Sequence, residues 1–142
     1  MTDHAASIRK LVFLLNYFVP AIIYSIFFAF LSFSDMASNI VFAFLLLAAY
    51  VTLLLTNKNR YLCHVFTRDG VLHLRYVTVF LVEKTVQIQF AGDSNLTLSP
   101  VSARKMCTLK VKQQDNWTRY IILQKTLHTA VAHELHAAKA HA

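Results

Sequence analysis

The stretch LLLTNKNRYLCHVF, Leu53 to Phe66, is where this chain changes character. From Leu11 to Leu55 the only charged residue is Asp35, whereas from Asn57 to Ala142 twelve Lys and Arg stand against five Asp and Glu. That second part supplies the whole formal net charge of +7. The 142-residue chain is 56% hydrophobic and still basic because it is two bodies in series, one uncharged and one cationic. Its length leaves room for about one domain.

Upstream of the junction lie two apolar runs. LVFLLNYFVPAIIYSIFFAFLSF covers Leu11 to Phe33, and ASNIVFAFLLLAAYVTLLLT covers Ala37 to Thr56. A bilayer core of about 30 Å needs roughly 20 helical residues, so each run is long enough to span. The link around Asp35 is so short that the two helices must be antiparallel neighbours. The competing reading is a secretory signal peptide followed by a buried core helix. Its apolar centre would be about 7–15 residues, shorter than the first run, and no small-x-small cleavage site precedes the second. The expected organisation is an N-terminal flank at 1–10, a two-helix transmembrane hairpin at 11–56 and a soluble β domain at 57–142.

Positive residues near span ends set orientation. Arg9 and Lys10 flank the first run, Lys58 and Arg60 follow the second, and the hairpin loop has no Lys or Arg. The expectation is a multi-pass inner-membrane protein with both termini cytoplasmic. Cys63 and Cys107 are then expected as thiols in a reducing compartment. The glycosylation-like triplets at Asn95 and Asn116 never meet the modifying machinery. Within the hairpin, Asn16, Pro20 and Asn39 are the candidate helix-packing residues. Pro20 should kink the first helix, its freed carbonyl satisfied by a neighbouring helix. Asn16 is expected to bond across to a partner helix, worth about 1 kcal/mol. No Asp, Glu, Lys or Arg lies inside the spans, and such residues mark ion and proton paths, so a pump or transporter is not expected.

Downstream of the junction the period becomes two. TVQIQF places Val86, Ile88 and Phe90 on one face; CTLKVKQ places Cys107, Leu109 and Val111 opposite Thr108, Lys110 and Lys112; NLTLS repeats the pattern with Leu96 and Leu98. This is the pattern of strands with one buried and one wet face. RDG (Arg68 to Gly70), between YLCHVFT and VLHLRYVTVFLV, is a hairpin signal, and QQDN (Gln113 to Asn116) marks a second turn. SPVSARK interrupts the middle of the sheet. The chain then turns helical, with Leu127, Val131, Leu135 and Ala138 on one stripe of KTLHTAVAHELHAAKAHA. The expected fold is a membrane helical hairpin plus an α+β soluble domain, an antiparallel sheet whose open end is capped by the C-terminal helix.

RDGVLHLRY, then VEKTVQIQF and NLTLSP, then TLKVK and NWTRYIILQ, and finally VAHELHAA, together resemble the bacterial pleckstrin-homology-like (PH-like) domains, which commonly follow a two-helix membrane hairpin. The resemblance covers Arg60 to Ala138. It implies a partial barrel capped by a helix. Lipid-binding members of the wider superfamily often carry a Lys…Lys/Arg-x-Arg signature on the first hairpin. The corresponding place here reads His73-Leu74-Arg75, with Arg68 before the turn.

Motifs for chemistry do not assemble. A zinc-protease helix needs His-Glu-x-x-His, but after His133 and Glu134 position 137 is Ala, and His136 is three from His133. Cys63 beside His64 suggests a thiol and base, yet neighbours on a strand point to opposite faces. With Gly70 and Gly92 as its only glycines the chain has no phosphate loop. An enzyme, a metal and a cofactor are not expected. Nucleic acid is not expected either, because no recognised motif accompanies the charge. Trp117, Tyr120 and Tyr76 are read as core or sheet-edge aromatics and Phe27 to Phe30 as lipid-facing.

The candidate anion- or lipid-binding set is Lys58, Arg60, Arg68, Arg75, Arg104, Lys105, Lys110, Lys112 and Arg119. A basic residue held near an anionic leaflet contributes about 1 kcal/mol. The preferred reading is a non-catalytic scaffold or accessory subunit that sits in the lipid bilayer and binds a protein partner, itself or anionic headgroups. The runner-up resembles the membrane-disrupting effectors of bacterial nucleotide-signalled antiphage defence, in which a β domain binds a nucleotide, oligomerises and drives the helices to breach the membrane.

Overall fold

The computed structural model describes residues 4–31, 35–89, 96–99, 106–113 and 116–140. The N-terminal helix runs as α1 (His4–Phe13), a π-helical segment (Leu14–Phe18) and α2 (Val19–Leu31). α3 (Met36–Thr56) runs back alongside it. The antiparallel pairing shows in three contacts along its length. Tyr50 Oη donates to the Asn16 carbonyl, Tyr24 Oη donates to the Ala43 carbonyl at 3.1 Å, and the Phe27 and Phe42 rings lie 5.8 Å apart.

Pro20 explains the irregular segment. In an α-helix the amide of residue 20 would bond the Asn16 carbonyl, and proline has no amide hydrogen. The backbone widens by one residue ahead of it, so that the Val19 amide donates to the Leu14 carbonyl. The abandoned Asn16 carbonyl accepts a hydrogen bond from the Tyr50 hydroxyl on α3. A π-turn thus stands ahead of the proline, and the neighbouring helix satisfies the freed carbonyl as expected. The Asn16 side chain does not bond across to α3 as expected. It donates to the Val12 carbonyl at 2.9 Å and to Tyr61 Oη at 3.3 Å, because the first turns of this helix lie against the β domain.

His4–Phe30 and Ala37–Thr56 are each long and apolar enough to cross a membrane. Their side chains face outward: Phe30 is 76% exposed and Leu53 68%. Leaving one such side chain in water forgoes roughly 1.5–3 kcal/mol of burial. The first segment has 27 residues, about 40 Å of helix, which exceeds a bilayer core. Its surplus is α1, and α1 has another task. Ala5, Ile8 and Val12 are buried in the same apolar cluster as the strands.

The six strands are β1 (Arg60–Arg68), β2 (Val71–Thr78), β3 (Glu83–Gln89), β4 (Leu96–Leu98), β5 (Cys107–Gln113) and β6 (Asn116–Ile122). They form one sheet in the order β3-β2-β1-β6-β5-β4. Each half is an antiparallel meander. The halves meet at a parallel seam, Tyr61 opposite Ile121. The sheet is therefore mixed, not antiparallel throughout. No turn joins β1 to β6, so nothing local sets their relative direction. At the first hairpin Asp69 (φ 52°) and Gly70 (φ 75°) take the positive angles expected of Asp-Gly.

Of the expected inward residues, Ile88, Leu109 and Val111 are buried, and Val86, Leu96 and Leu98 pack against the same cluster; Phe90 lies outside the described residues. α4 (Lys125–Ala140) covers β1 and β6 with Leu127, Val131 and Leu135. Near the junction the alternation fails, for Tyr61–Leu62 and Tyr76–Val77 are consecutive buried pairs. Successive strand residues point to opposite faces, so both faces are covered there. α1, lying against β1 and β2, provides the second cover. Glu83 fastens it, binding Arg9 at 2.7 Å and also Arg75. At its other end Gln124 joins His4 (3.2 Å) and Ser7 (2.8 Å).

Candidate functional site

The sheet distributes the basic residues over separate places. Arg68 is an exposed turn residue 3.6 Å from Asp69. Arg75 is committed to Glu83. Arg104 and Lys105 lie outside the described residues. The rest form two groups.

The first group is the outer face of the second meander. Lys110 sits between Thr97 and Arg119 in the ladder, and Lys112 faces Trp117 across the strands. Thr97, Lys110, Trp117, Thr118 and Arg119 line a shallow cavity of about 390 Å³. Trp117 is 52% exposed, so this aromatic is a surface residue, whereas Tyr76 and Tyr120 are core. Like charges directly opposite each other across a ladder are destabilising. Lys110→Gln with Arg119→Gln should therefore raise thermal stability slightly, by about 0.2–1 kcal/mol, while weakening anion binding to this face. Melting curves in detergent read the first effect and low-salt titration the second. A loss of stability would mean that the pair has a structural role.

The second group stands at the junction. Lys58 and Arg60 follow α3, and Lys84 on β3 joins them in a cleft that also includes Leu55, Phe80 and Val82. The Arg60 guanidinium lies over the rings of Tyr76 (5.4 Å) and Tyr120 (5.8 Å) and donates to Tyr120 Oη at 3.4 Å. Burial pushes the Tyr120 phenol up from its ordinary value, and the hydrogen bond and charge of Arg60 draw it part of the way back. The neutral phenol oxygen accepts a hydrogen bond from the guanidinium. Lys84 was not among the sequence candidates. It follows Glu83 on a strand of mixed exposure, and only the pairing of β3 with β2 brings it here.

The thiol and imidazole considered for chemistry have separate partners. A bulge between Leu62 and His64 turns the Cys63 thiol to the Tyr61 carbonyl, 3.6 Å away. His64 lies against Phe66, with ring centroids 5.5 Å apart. Cys63 and Cys107 are separate buried thiols. On α4, His128 meets the Ser99 carbonyl at 3.3 Å, while His133 and His136 are exposed.

In the membrane-compatible part, Asn39 is buried on α3, and Pro20, Tyr24 and Tyr50 border an apolar groove between α2 and α3. Tyr50→Phe would orphan the Asn16 carbonyl that Pro20 already deprives of an amide. The expected cost is about 1 kcal/mol, seen as a melting temperature a few degrees lower for the full chain in detergent. An unchanged melting temperature would show that this bond contributes nothing.

Comparison of the chain with protein-family models, with curated proteins and with solved structures finds no match.

Proposed function

We propose that this protein is a non-catalytic membrane-anchored module, an accessory or scaffold subunit. Both termini are cytoplasmic and a PH-like β domain is held against the inner face of the membrane. There it binds a protein partner or anionic headgroups. The observation that carries this reading is the division of apolar surface. α2 and α3 expose theirs, while the strands, α1 and α4 enclose a single apolar core. Arg9, Lys10, Lys58 and Arg60 near the span ends favour that orientation. Two meanders followed by a covering helix agree with the PH-like element order. The basic outer face around Lys110, Trp117 and Arg119 is the surface offered to a partner.

The effector reading has one observation in its favour. The helix that enters the membrane begins in the β-domain core, so a change there has a mechanical path to the span. Against it, the buried cluster is apolar, and Asn39, the buried polar residue among those described, is on α3. Nucleotide sensors need polar groups pointing into a cavity.

The test is the mass and composition of the complex extracted from its native host in mild detergent. Distinct subunits in fixed ratio are expected. A homo-oligomer that grows on addition of cyclic nucleotide would replace the scaffold reading with the effector.

A further inference from the structure

The junction cleft combines features that a soluble surface does not need. Three cations, Lys58, Arg60 and Lys84, share about 420 Å³ with Leu55, Phe80 and Val82, and among the described residues no carboxylate lines it. It lies at the opposite end of β1 and β2 from the Arg68–Gly70 turn. Leu55 belongs to the last turn of α3. The Tyr17 hydroxyl, at the start of the exposed part of the first span, donates to the Val79 carbonyl at 3.1 Å. The β2–β3 hairpin thus lies beside the last turn of α3 and the π-helical segment of the first helix.

That hairpin is unusual in two independent ways. Its closing bonds, Thr78 amide to Val82 carbonyl (2.9 Å) and Leu81 amide to Thr78 carbonyl (3.0 Å), enclose a three-residue loop of Val79, Phe80 and Leu81. Such loops end in a left-handed residue, ordinarily glycine. Leu81 takes that place with φ 62°. A leucine there costs backbone energy, and Phe80 and Val82, each 50% exposed, forgo burial. Seating the tip among acyl chains would bury Phe80 and Val82 and offset both costs.

The cationic side is pre-organised as well. Only three residues separate α3 from β1, and the Asn59 amide bonds Asn57 Oδ1 at 2.9 Å, which holds the segment carrying Lys58 in a turn. Arg60 is braced by its two tyrosines. A guanidinium has five N–H donors, and Tyr120 takes one.

We propose that this cleft binds the phosphate of an anionic glycerophospholipid, with Lys58, Arg60 and Lys84 around the phosphate and the Phe80–Val82 tip seated in the same leaflet. The proposal rests on the membrane-anchored reading above and adds a lipid site to it. It also gives the apolar tip and the cations beside it one common ligand.

The experiment uses the full chain. Native mass spectrometry from mild detergent, after exchange into defined phosphatidylglycerol or phosphatidylcholine, reads retained lipid for the wild type and for Lys58→Gln with Lys84→Gln. Neither lysine belongs to the core, so the variant should fold. The wild type should retain phosphatidylglycerol in preference, and the variant should hold it about ten-fold more weakly or worse, since each cation near an anionic surface contributes about 1 kcal/mol. Equal retention of the two lipids, or no change in the variant, overturns the proposal. Displacement by free glycerol phosphate would assign the cleft to a soluble phosphate instead. In a Trp117→Phe background, Phe80→Trp should be quenched by brominated lipid in vesicles, and an unquenched tryptophan would remove the tip from the leaflet. Carbonate extraction separates the two readings. A wild type washed from membranes defeats the anchor itself, whereas a protein that stays embedded yet shows no lipid preference defeats only the cleft.

Discussion

Ile8→Asp should unfold the β domain even though Ile8 lies outside the strands, more than fifty residues before the first of them. Its side chain is fully buried, together with Val12, in the cluster formed by β1, β2 and α4. Truncation of such a residue to alanine costs about 2–5 kcal/mol through lost transfer energy and the cavity left behind. A carboxylate adds the penalty of an unpaired buried charge. Against a typical total of about 5–15 kcal/mol, that sum leaves little or no folded population. Limited proteolysis of the full chain in detergent reads the effect directly. The prediction is rapid cleavage throughout residues 60–140, with the chain still resistant to carbonate extraction because α2 and α3 are untouched. Ile8→Ala should give the graded version, a lower melting temperature with the fold retained. If the Asp variant kept wild-type protease resistance, α1 would be a detachable flank and the two-sided cover of β1 and β2 would be wrong.

Leu109→Asp should have a comparable effect from the other side of the core. Leu109 is fully buried in β5, with Leu98 and Tyr120 as its cross-strand neighbours. The charge would therefore face apolar carbon on both flanking strands, and the same energy terms apply. Loss of protease resistance with normal membrane insertion is the expected result. Normal stability would overturn the inward assignment of the whole β5 face, Cys107 and Val111 included. Because the two substitutions probe one core from the helix and from the sheet, Ile8→Ala and a mild Leu109 variant should lower stability within one cooperative transition. Two separate transitions would instead make the helix and the sheet independent units.

These two residues also mark how far the sequence could be read. Leu109 stands in CTLKVKQ, where strict alternation gives its direction before any contact is known. Ile8 stands in HAASIRKLVF, beside Arg9 and Lys10, and reads as the charged flank of a span. Its burial depends on a sheet made from residues far along the chain. The same contrast separates Tyr76 from Trp117. Both are aromatic residues on strands, but only the arrangement of layers puts one in the core and leaves the other on the basic face. The β2–β3 turn hid for a related reason. VLHLRYVTVFLV carries no glycine, asparagine or proline, and Leu81 occupies the position where a glycine would have announced the loop.

By itself the sequence determined the features whose energetics are local. These are two apolar runs long enough to cross a membrane, alternating strands, an Asp-Gly turn, a helix with one apolar stripe, and a proline whose missing amide hydrogen had to be compensated. Each follows from a period or a single residue's chemistry acting over a few neighbours. Only the tertiary structure decided that the first helix begins inside the β-domain core, that the two meanders meet along a parallel seam, and that Lys84 joins Lys58 and Arg60. Those outcomes depend on which faces pack against each other between residues that stand from about 25 to 60 positions apart, and that pairing leaves no period in the sequence.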